Sequence, residues 1–311
     1  MNLFKEITEM FSRELELRGR AFVNYGALKE VEVKDMTIDG FPAKLFFNPA
    51  RVRSVMADVS PEALQKRACF LCPDGLEPLQ LTTVWDSPTG QMYFIRVNPF
   101  PIFNHHFTIS SSIHERQTFA PHMESMLHLA QAMPEMSIFY NGPMCGASAP
   151  DHMHFQAVPR HSMPIEDHFD TNYANAVLVQ ESDLHSHLAA VKRVLSLGTI
   201  PEDASQTGSL TIGASHTEEY EPRWNIVSWY EPASSPNSLI PSSPKFNTIV
   251  FFRRESRPQC FFAPENERIL FSPGTVEMGG VGIVANRESF DRITPEVLRS
   301  MIQEVADTLC P

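Results

Sequence analysis

The segment "YNGPMCGASAPDHMHFQAVPR", residues 140–160, carries His152, His154 and Gln156 at alternate positions. On a strand, residues two apart share a face, whereas on a helix His152 and His154 would sit on nearly opposite sides. The flanking Pro150 and Pro159 suit a short strand better than a helix. The pattern therefore predicts a strand with two faces. Met153, Phe155 and Ala157 face the core, and His152, His154 and Gln156 face a cavity.

Three chemistries fit His-x-His on a strand. Both imidazoles can grip one metal ion, one imidazole can attack phosphorus, or both can be structural. Gln156 is a poor ligand for a transition metal but a good neutral donor to a phosphoryl oxygen. Gly142, Gly146, Ala147 and Ser148 precede the strand, and such small residues let backbone N–H groups approach an anion closely. Loop and strand together suggest a phosphate site. A metal-dependent hydrolase or oxygenase would want a carboxylate ligand, and Asp151 falls on the opposite strand face.

The chain has 311 residues, 42% of them hydrophobic, enough to bury a sizeable core. Its formal net charge of −12 argues against a nucleic acid polymer or an acidic membrane as partner, but not against a small phosphorylated ligand. The N-terminus "MNLFKEITEMFSRELELRGR" lacks the apolar core of a secretion signal, and no run approaches the roughly 18 apolar residues of a membrane span. The expectation is a soluble cytoplasmic protein. The chain has 5 cysteines, an odd number for a disulfide framework. Cys145, Cys260 and Cys310 stand isolated. Cys69 and Cys72, in "RACFLCPDG", form a C-x-x-C pair that is either a metal half-site or a redox pair.

Periodicity places a helix over residues 3–19, strands broken by turns over 20–50, and a helix capped by Ser60. "MYFIRVNPFPIF", "HHFTISSS" and "MSIFYN" are expected as strands. "ERQTFAPHMESMLHLAQAM" is expected as a helix with Met123, Met126, Leu127, Ala130 and Met133 inward. Residues 200–245 are rich in Ser, Pro and Thr and suit a long surface connection, with "RWNIVSWYEP" a candidate strand. "KFNTIVFFRRES" and "PQCFFAP" suggest a hairpin, with Arg253 and Arg254 at the surface. The chain ends in a strand, a turn and an amphipathic helix. Residues 105–133 and 279–308 share an order of strand, Arg-containing turn, Phe, Pro and helix. That suggests two degenerate copies of one α+β unit, divided as 1–190 and 191–311.

"GASAPDHMHFQAV" resembles the motif of the histidine-triad superfamily, His-x-His-x-(His/Gln) followed by apolar residues. Glutamine in the third place is typical of the transferase branch, which includes galactose-1-phosphate uridylyltransferases, diadenosine tetraphosphate phosphorylases and GDP-hexose phosphorylases. "NPFPIFNHHFTI" also fits that branch, and "DHMHFQA" looks most like the GDP-L-galactose phosphorylases. The resemblance covers much of residues 45–160 and, more loosely, 246–308. It implies a HIT-like α+β fold made of two antiparallel-sheet-plus-helix units. It also implies a nucleotidyltransferase or phosphorylase acting on a nucleotide sugar, with phosphate or a sugar phosphate as acceptor. Uridylyltransferase and dinucleoside polyphosphate phosphorylase activities are the alternatives, and a non-catalytic nucleotide sensor is a further class. A homodimer is compatible with the resemblance.

Carried over by position, His154 matches the nucleophile that takes up the nucleoside monophosphate. Gln156 matches the residue bonded to the transferred phosphoryl group. Gly146 and Ser148 match the phosphate-contacting loop. Arg51, Arg53 and Arg160 are candidate phosphate ligands because they lie close to the motifs. A structural zinc in the uridylyltransferases implies the set Cys69, Cys72, His114 and His152, with His105 and His106 as rivals for the third place. One extra residue stands between Ser148 and His152 compared with the uridylyltransferase loop.

Overall fold

The computed structural model describes residues 2–56, 58–198, 221–234 and 242–307. The first strands, β1 (Glu32–Ile38) and β2 (Phe41–Phe47), form an antiparallel hairpin. Its turn is Asp39-Gly40, both at positive φ (50° and 91°), the backbone that a two-residue hairpin turn requires. A larger sheet follows: β3 (Thr83–Asp86), β4 (Met92–Val97), β5 (Phe107–Ser111), β6 (Met136–Asn141), β7 (His154–Pro159), β8 (Ala176–Glu181), β9 (Trp224–Glu231) and β10 (Lys245–Phe252). Its eight strands run in the order β3-β4-β5-β7-β6-β9-β10-β8. β11 (Val281–Val284) pairs in parallel with β2 and completes a three-stranded sheet.

The helices are α1 (Leu3–Glu16), α2 (Arg20–Ala27), α3 (Val52–Val55), α4 (Pro61–Lys66), α5 (Met123–Ala132), α6 (Thr171–Ala174), α7 (Leu184–Leu195), α8 (Thr275–Met278), α9 (Arg287–Arg292) and α10 (Pro295–Val305). Alternation on the large sheet sorts the core into two layers. Met153, Phe155 and Ala157 pack with α1, α2, α5 and α7 on one face. Phe139, Val158 and Val227 pack on the other against the small sheet, α9 and α10. Met123, Met126, Leu127, Ala130 and Met133 are buried as their helical spacing requires. Ser60 caps α4, its hydroxyl accepting from Ala63 N–H at 3.3 Å.

Several expectations are corrected. Residues 20–27 are helical, because Ala21 and Tyr25, four apart, bury one face against the sheet. "PQCFFAP" forms a short 3₁₀ turn at Gln259–Phe261, and β10 pairs with β9 and β8. Arg253 is buried: its guanidinium donates to Asn225 Oδ1 at 2.6 Å and to the carbonyls of Pro273, Glu255, Ser256 and Val305. Segment 200–245 lies outside the described residues over 200–220 and 235–241, while "RWNIVSWYEP" is a central strand.

The match between 105–133 and 279–308 does not extend to sheet position. β5 is an interior strand, antiparallel to both neighbours, and β11 is an edge strand parallel to β2. A different pair of segments shares one topology. β5-α5-β6-β7 assembles as β5-β7-β6, and β8-α7-β9-β10 assembles as β9-β10-β8, so the two β-α-β-β units meet head to head at β6–β9. Residue 190 falls inside α7.

Candidate active site

The site grows from strand register. Arg96 pairs with Thr108, Thr108 with Gln156 and Gln156 with Phe139, and one step along, Ser110 pairs with His154. Paired residues point to the same face, so these side chains form a row on the side away from α1, α2, α5 and α7. Arg96, Thr108, Phe139, His154 and Gln156 line a cavity of about 410 Å³ together with Gly146, Ser148 and Arg51. Its polar wall also takes in Arg20, Arg67, Asp58, Glu77 and Glu277.

His154 is buried, and its Nδ1 lies 2.8 Å from the carbonyl of His152. A carbonyl only accepts, so Nδ1 carries the proton and Nε2 keeps its lone pair. Burial pushes the imidazole pKa down to about 4, so His154 is neutral near pH 7. Gln117 holds the start of the strand. Its Oε1 accepts from His154 N–H at 2.8 Å, and its Nε2 donates to the carbonyls of His154 (3.0 Å) and Asn141 (2.9 Å). The loop reaches the cavity because Gly146 sits at φ +95° and backs onto Gly274, whose Cα would lie 2.8 Å from any added β-carbon.

The other end of the motif belongs to a separate cluster. Cys69, Cys72, His114 and His152 bring their ligand atoms within 4.8 Å of one another. The Cys69 Sγ–His152 Nδ1 distance is 3.2 Å, Cys72 Sγ–His114 Nδ1 is 3.3 Å, and the two Nδ1 atoms are 3.3 Å apart. Tetrahedral zinc with ordinary bonds has ligand–ligand edges of about 3.3–3.8 Å. His152 donates Nε2–H to the Ser111 carbonyl at 2.9 Å, which leaves Nδ1 to face the thiols. Burial opposes ionisation of Cys69, but the His152 bond and the N–H groups of Leu71 and Cys72 bring its thiol down to about 6. Two cysteine sulfurs and two imidazoles form a donor set suited to a metal ion, and the residues present fit one. The knuckle turns tightly after the pair, since a β-carbon on Gly75 would lie 2.0 Å from the Cys69 carbonyl.

The structure places the remaining expected residues as follows. Arg51 lines the cavity and donates to the Phe100 carbonyl. Arg53 lies on α3, with its side chain outside the described residues. Arg160 is a correction: it sits away from the cavity, paired with buried Glu166 and lying over Trp229 at 4.5 Å. His105 and His106 are not in the cluster. His105 packs on Phe11 with ring centroids 4.4 Å apart, and His106 bonds to Gln156. The residue between Pro150 and His152 is Asp151, which pairs with cavity-lining Arg67. Arg96 and Gln117 were not anticipated. Arg96 is buried, donates to the Leu71 carbonyl at 2.8 Å and to Ser110 Oγ at 3.2 Å, and so ties the Cys69–Cys72 knuckle to the cavity wall. A lone arginine inside the apolar run "MYFIRV" was its available signal.

The architecture is an α+β fold. A family model described as "Domain of unknown function (DUF4922)" matches residues 10–159. Among solved structures, yeast Ap4A phosphorylase Apa2 is similar with a TM-score of 0.56 and 14% identity, covering 95% of this chain and 97% of that one. The same enzyme in complex with AMP gives 0.53 at 13% identity, with 95% and 96% covered. Its complex with Ap4A also gives 0.53 at 13% identity, with 95% and 97% covered. At such identities the likeness establishes the fold. No curated protein sequence matches the chain. Among the described residues, no helix is long and apolar enough to cross a membrane.

Proposed function

We propose that this chain is a nucleotidyltransferase of the phosphorylase type that works through a covalent nucleotidyl–His154 intermediate. The observation that carries the reading is the His154 imidazole, held through Nδ1, neutral, and set in the wall of an arginine-lined cavity. The Nε2 lone pair forms a bond to the α-phosphorus of the donor. The bond from that phosphorus to its bridging oxygen breaks, and the electron pair leaves with the phosphate chain or sugar phosphate. In the second half an oxygen of the acceptor phosphate attacks, the N–P bond breaks, and the pair returns to Nε2. Each leaving group is stable as an anion or as a neutral imidazole, so neither half needs a general acid. Gln156, Ser148 and the backbone at Gly146 supply donors to the phosphoryl oxygens, and Arg51 supplies positive charge.

The sequence favours a GDP-hexose as donor. The fold likeness to an Ap4A phosphorylase over nearly the whole chain favours a dinucleoside polyphosphate instead. Four arginines in the wall, Arg20, Arg51, Arg67 and Arg96, suit a long phosphate chain. Cys69, Cys72, His114 and His152 make a four-ligand structural zinc site with no position left for a substrate. A hydrolase or oxygenase with both histidines on one ion is disfavoured, because among the described residues the cluster that could hold an ion comprises Cys69, Cys72, His114 and His152 and leaves His154 out.

The test is incubation with labelled Ap4A, a GDP-hexose or a UDP-hexose without acceptor. An acid-labile adduct on His154, discharged by inorganic phosphate, is expected. Failure of every donor to label the protein or turn over would overturn the reading.

A further inference from the structure

A glutamine side chain carries a carbonyl on one branch and an NH₂ on the other, and half a turn exchanges them at almost no change in shape. Only one orientation of Gln156 offers N–H groups to an anion in the cavity. Among the described residues, His106 bears directly on that choice. It is fully buried and is not part of the cavity wall.

We propose that His106 is a positioning residue for the transfer reaction: its Nε2–H occupies the Gln156 carbonyl and so turns the Gln156 amide N–H groups towards the transferred phosphoryl group. The inference rests on the nucleotidyl-transfer reading above. The direction of each hydrogen bond follows from the backbone. Ile102 N–H points at His106 Nδ1 at 3.2 Å, and a backbone N–H can only donate. Nδ1 is therefore the acceptor and the proton sits on Nε2, which lies 2.9 Å from Gln156 Oε1. Asn98 Nδ2 reaches the same oxygen at 3.5 Å and Thr108 Oγ1 at 3.0 Å. With the carbonyl engaged, the NH₂ branch is left to the cavity.

The imidazole is held as firmly as the amide it orients. The Tyr25 hydroxyl donates to the His106 carbonyl at 2.8 Å and accepts from its N–H at 3.2 Å, and Asn98 N–H donates to the same carbonyl at 2.9 Å. His105 before it takes a left-handed backbone, φ 54°. Burial, with Arg51 nearby, drives the His106 pKa to about 3, which preserves the acceptor at Nδ1. A protonated ring would turn two N–H groups towards each other at Ile102. The chain Tyr25–His106–Gln156 thus runs from α2 through the turn before β5 to the motif strand, across three segments far apart in sequence.

A double-mutant cycle tests this, using labelled Ap4A with inorganic phosphate and reading both turnover and adduct formation. His106→Ala is expected to lower kcat by about 10- to 100-fold with KM nearly unchanged, since an unoriented donor is lost mainly where charge develops. In a Gln156→Ala background the same change should cost almost nothing further. Tyr25→Phe, which keeps the packing and loosens only the clamp, should give a smaller loss that also vanishes in that background. His106→Asn, whose amide can still donate, should recover part of the rate. In the wild type, ¹⁵N spectra should place the His106 proton on Nε2. Losses that multiply instead of overlapping, a loss confined to KM, or an Nδ1–H tautomer would overturn the proposal while leaving nucleotidyl transfer standing. A wild type that forms no adduct and turns over no donor would remove the transfer reading and this role with it.

Discussion

His152, in the bend before β7, and His154, its first residue, lie two residues apart, yet they end in opposite states. His152 gives Nε2–H to the Ser111 carbonyl and turns Nδ1 to two thiols. His154 gives Nδ1–H to the His152 carbonyl and keeps Nε2 for the cavity. The neighbouring cysteine and the Ser111 carbonyl raise the pKa of the first against its burial, and burial lowers the second to about 4. Which nitrogen a histidine offers is set by the acceptor that holds the other one. Strand β7 and the bend before it therefore serve the Cys69–Cys72–His114–His152 cluster and the cavity without the two competing for a ring.

The sharpest way to break the contrast is to remove one histidine at a time. His154→Ala should cost at least about 10⁴-fold in turnover and all adduct, with metal content and fold retained. Retention of a tenth of the activity would mean that His154 is not the nucleophile. His152→Asn and Cys69→Ser should do the reverse. Elemental analysis should show loss of about one zinc per chain, and thermal melting should drop by more than about 5 °C, with activity following the folded fraction. If metal content survives both substitutions, the cluster does not hold the ion.

Arg160→Ala separates the two regions from a third. It leaves buried Glu166 without its cation and should cost about 3 kcal/mol by denaturant titration, while kcat of the folded protein stays the same. A loss of rate at constant stability would return Arg160 to the phosphate-binding role its place in the sequence suggested.

A last effect, spread over pH, concerns two buried imidazoles that meet no thiol. Burial depresses His106 to about 3 and His187 to about 4. Below the ordinary histidine value of about 6.5 the unfolded chain binds protons that the folded chain refuses. Stability from these groups is therefore complete above about 6.5 and declines as pH falls towards 4, by roughly 1.4 kcal/mol per pH unit for each group. Urea unfolding at several pH values, with His187→Gln as control, measures the slope. An unchanged slope in His187→Gln would show that this ring is not among the groups responsible.

The sequence by itself determined what depends on near neighbours along the chain. Alternation exposed the two faces of residues 153–157, though His152 fell in the bend before the strand and outside the cavity wall, helical spacing exposed the buried side of α5, and Ser60 announced its helix. The Cys69–Cys72 pair announced half of the four-residue cluster that could hold a metal ion. These signals survive in one dimension because the strand period of two and the helix period of 3.6 are properties of the local backbone. Only the tertiary structure decided which segments meet. Helix α2 looked like strand until Ala21 and Tyr25 found a core to enter. The shared β-α-β-β order fell on β8-α7-β9-β10 because sheet neighbours, not sequence likeness, define topology. Arg96, Gln117 and His106 became part of the site through bonds spanning 25, 37 and 50 residues. Such contacts carry no periodic mark. A buried polar group takes whatever partner the fold brings within about 3 Å, and chain order does not encode that distance.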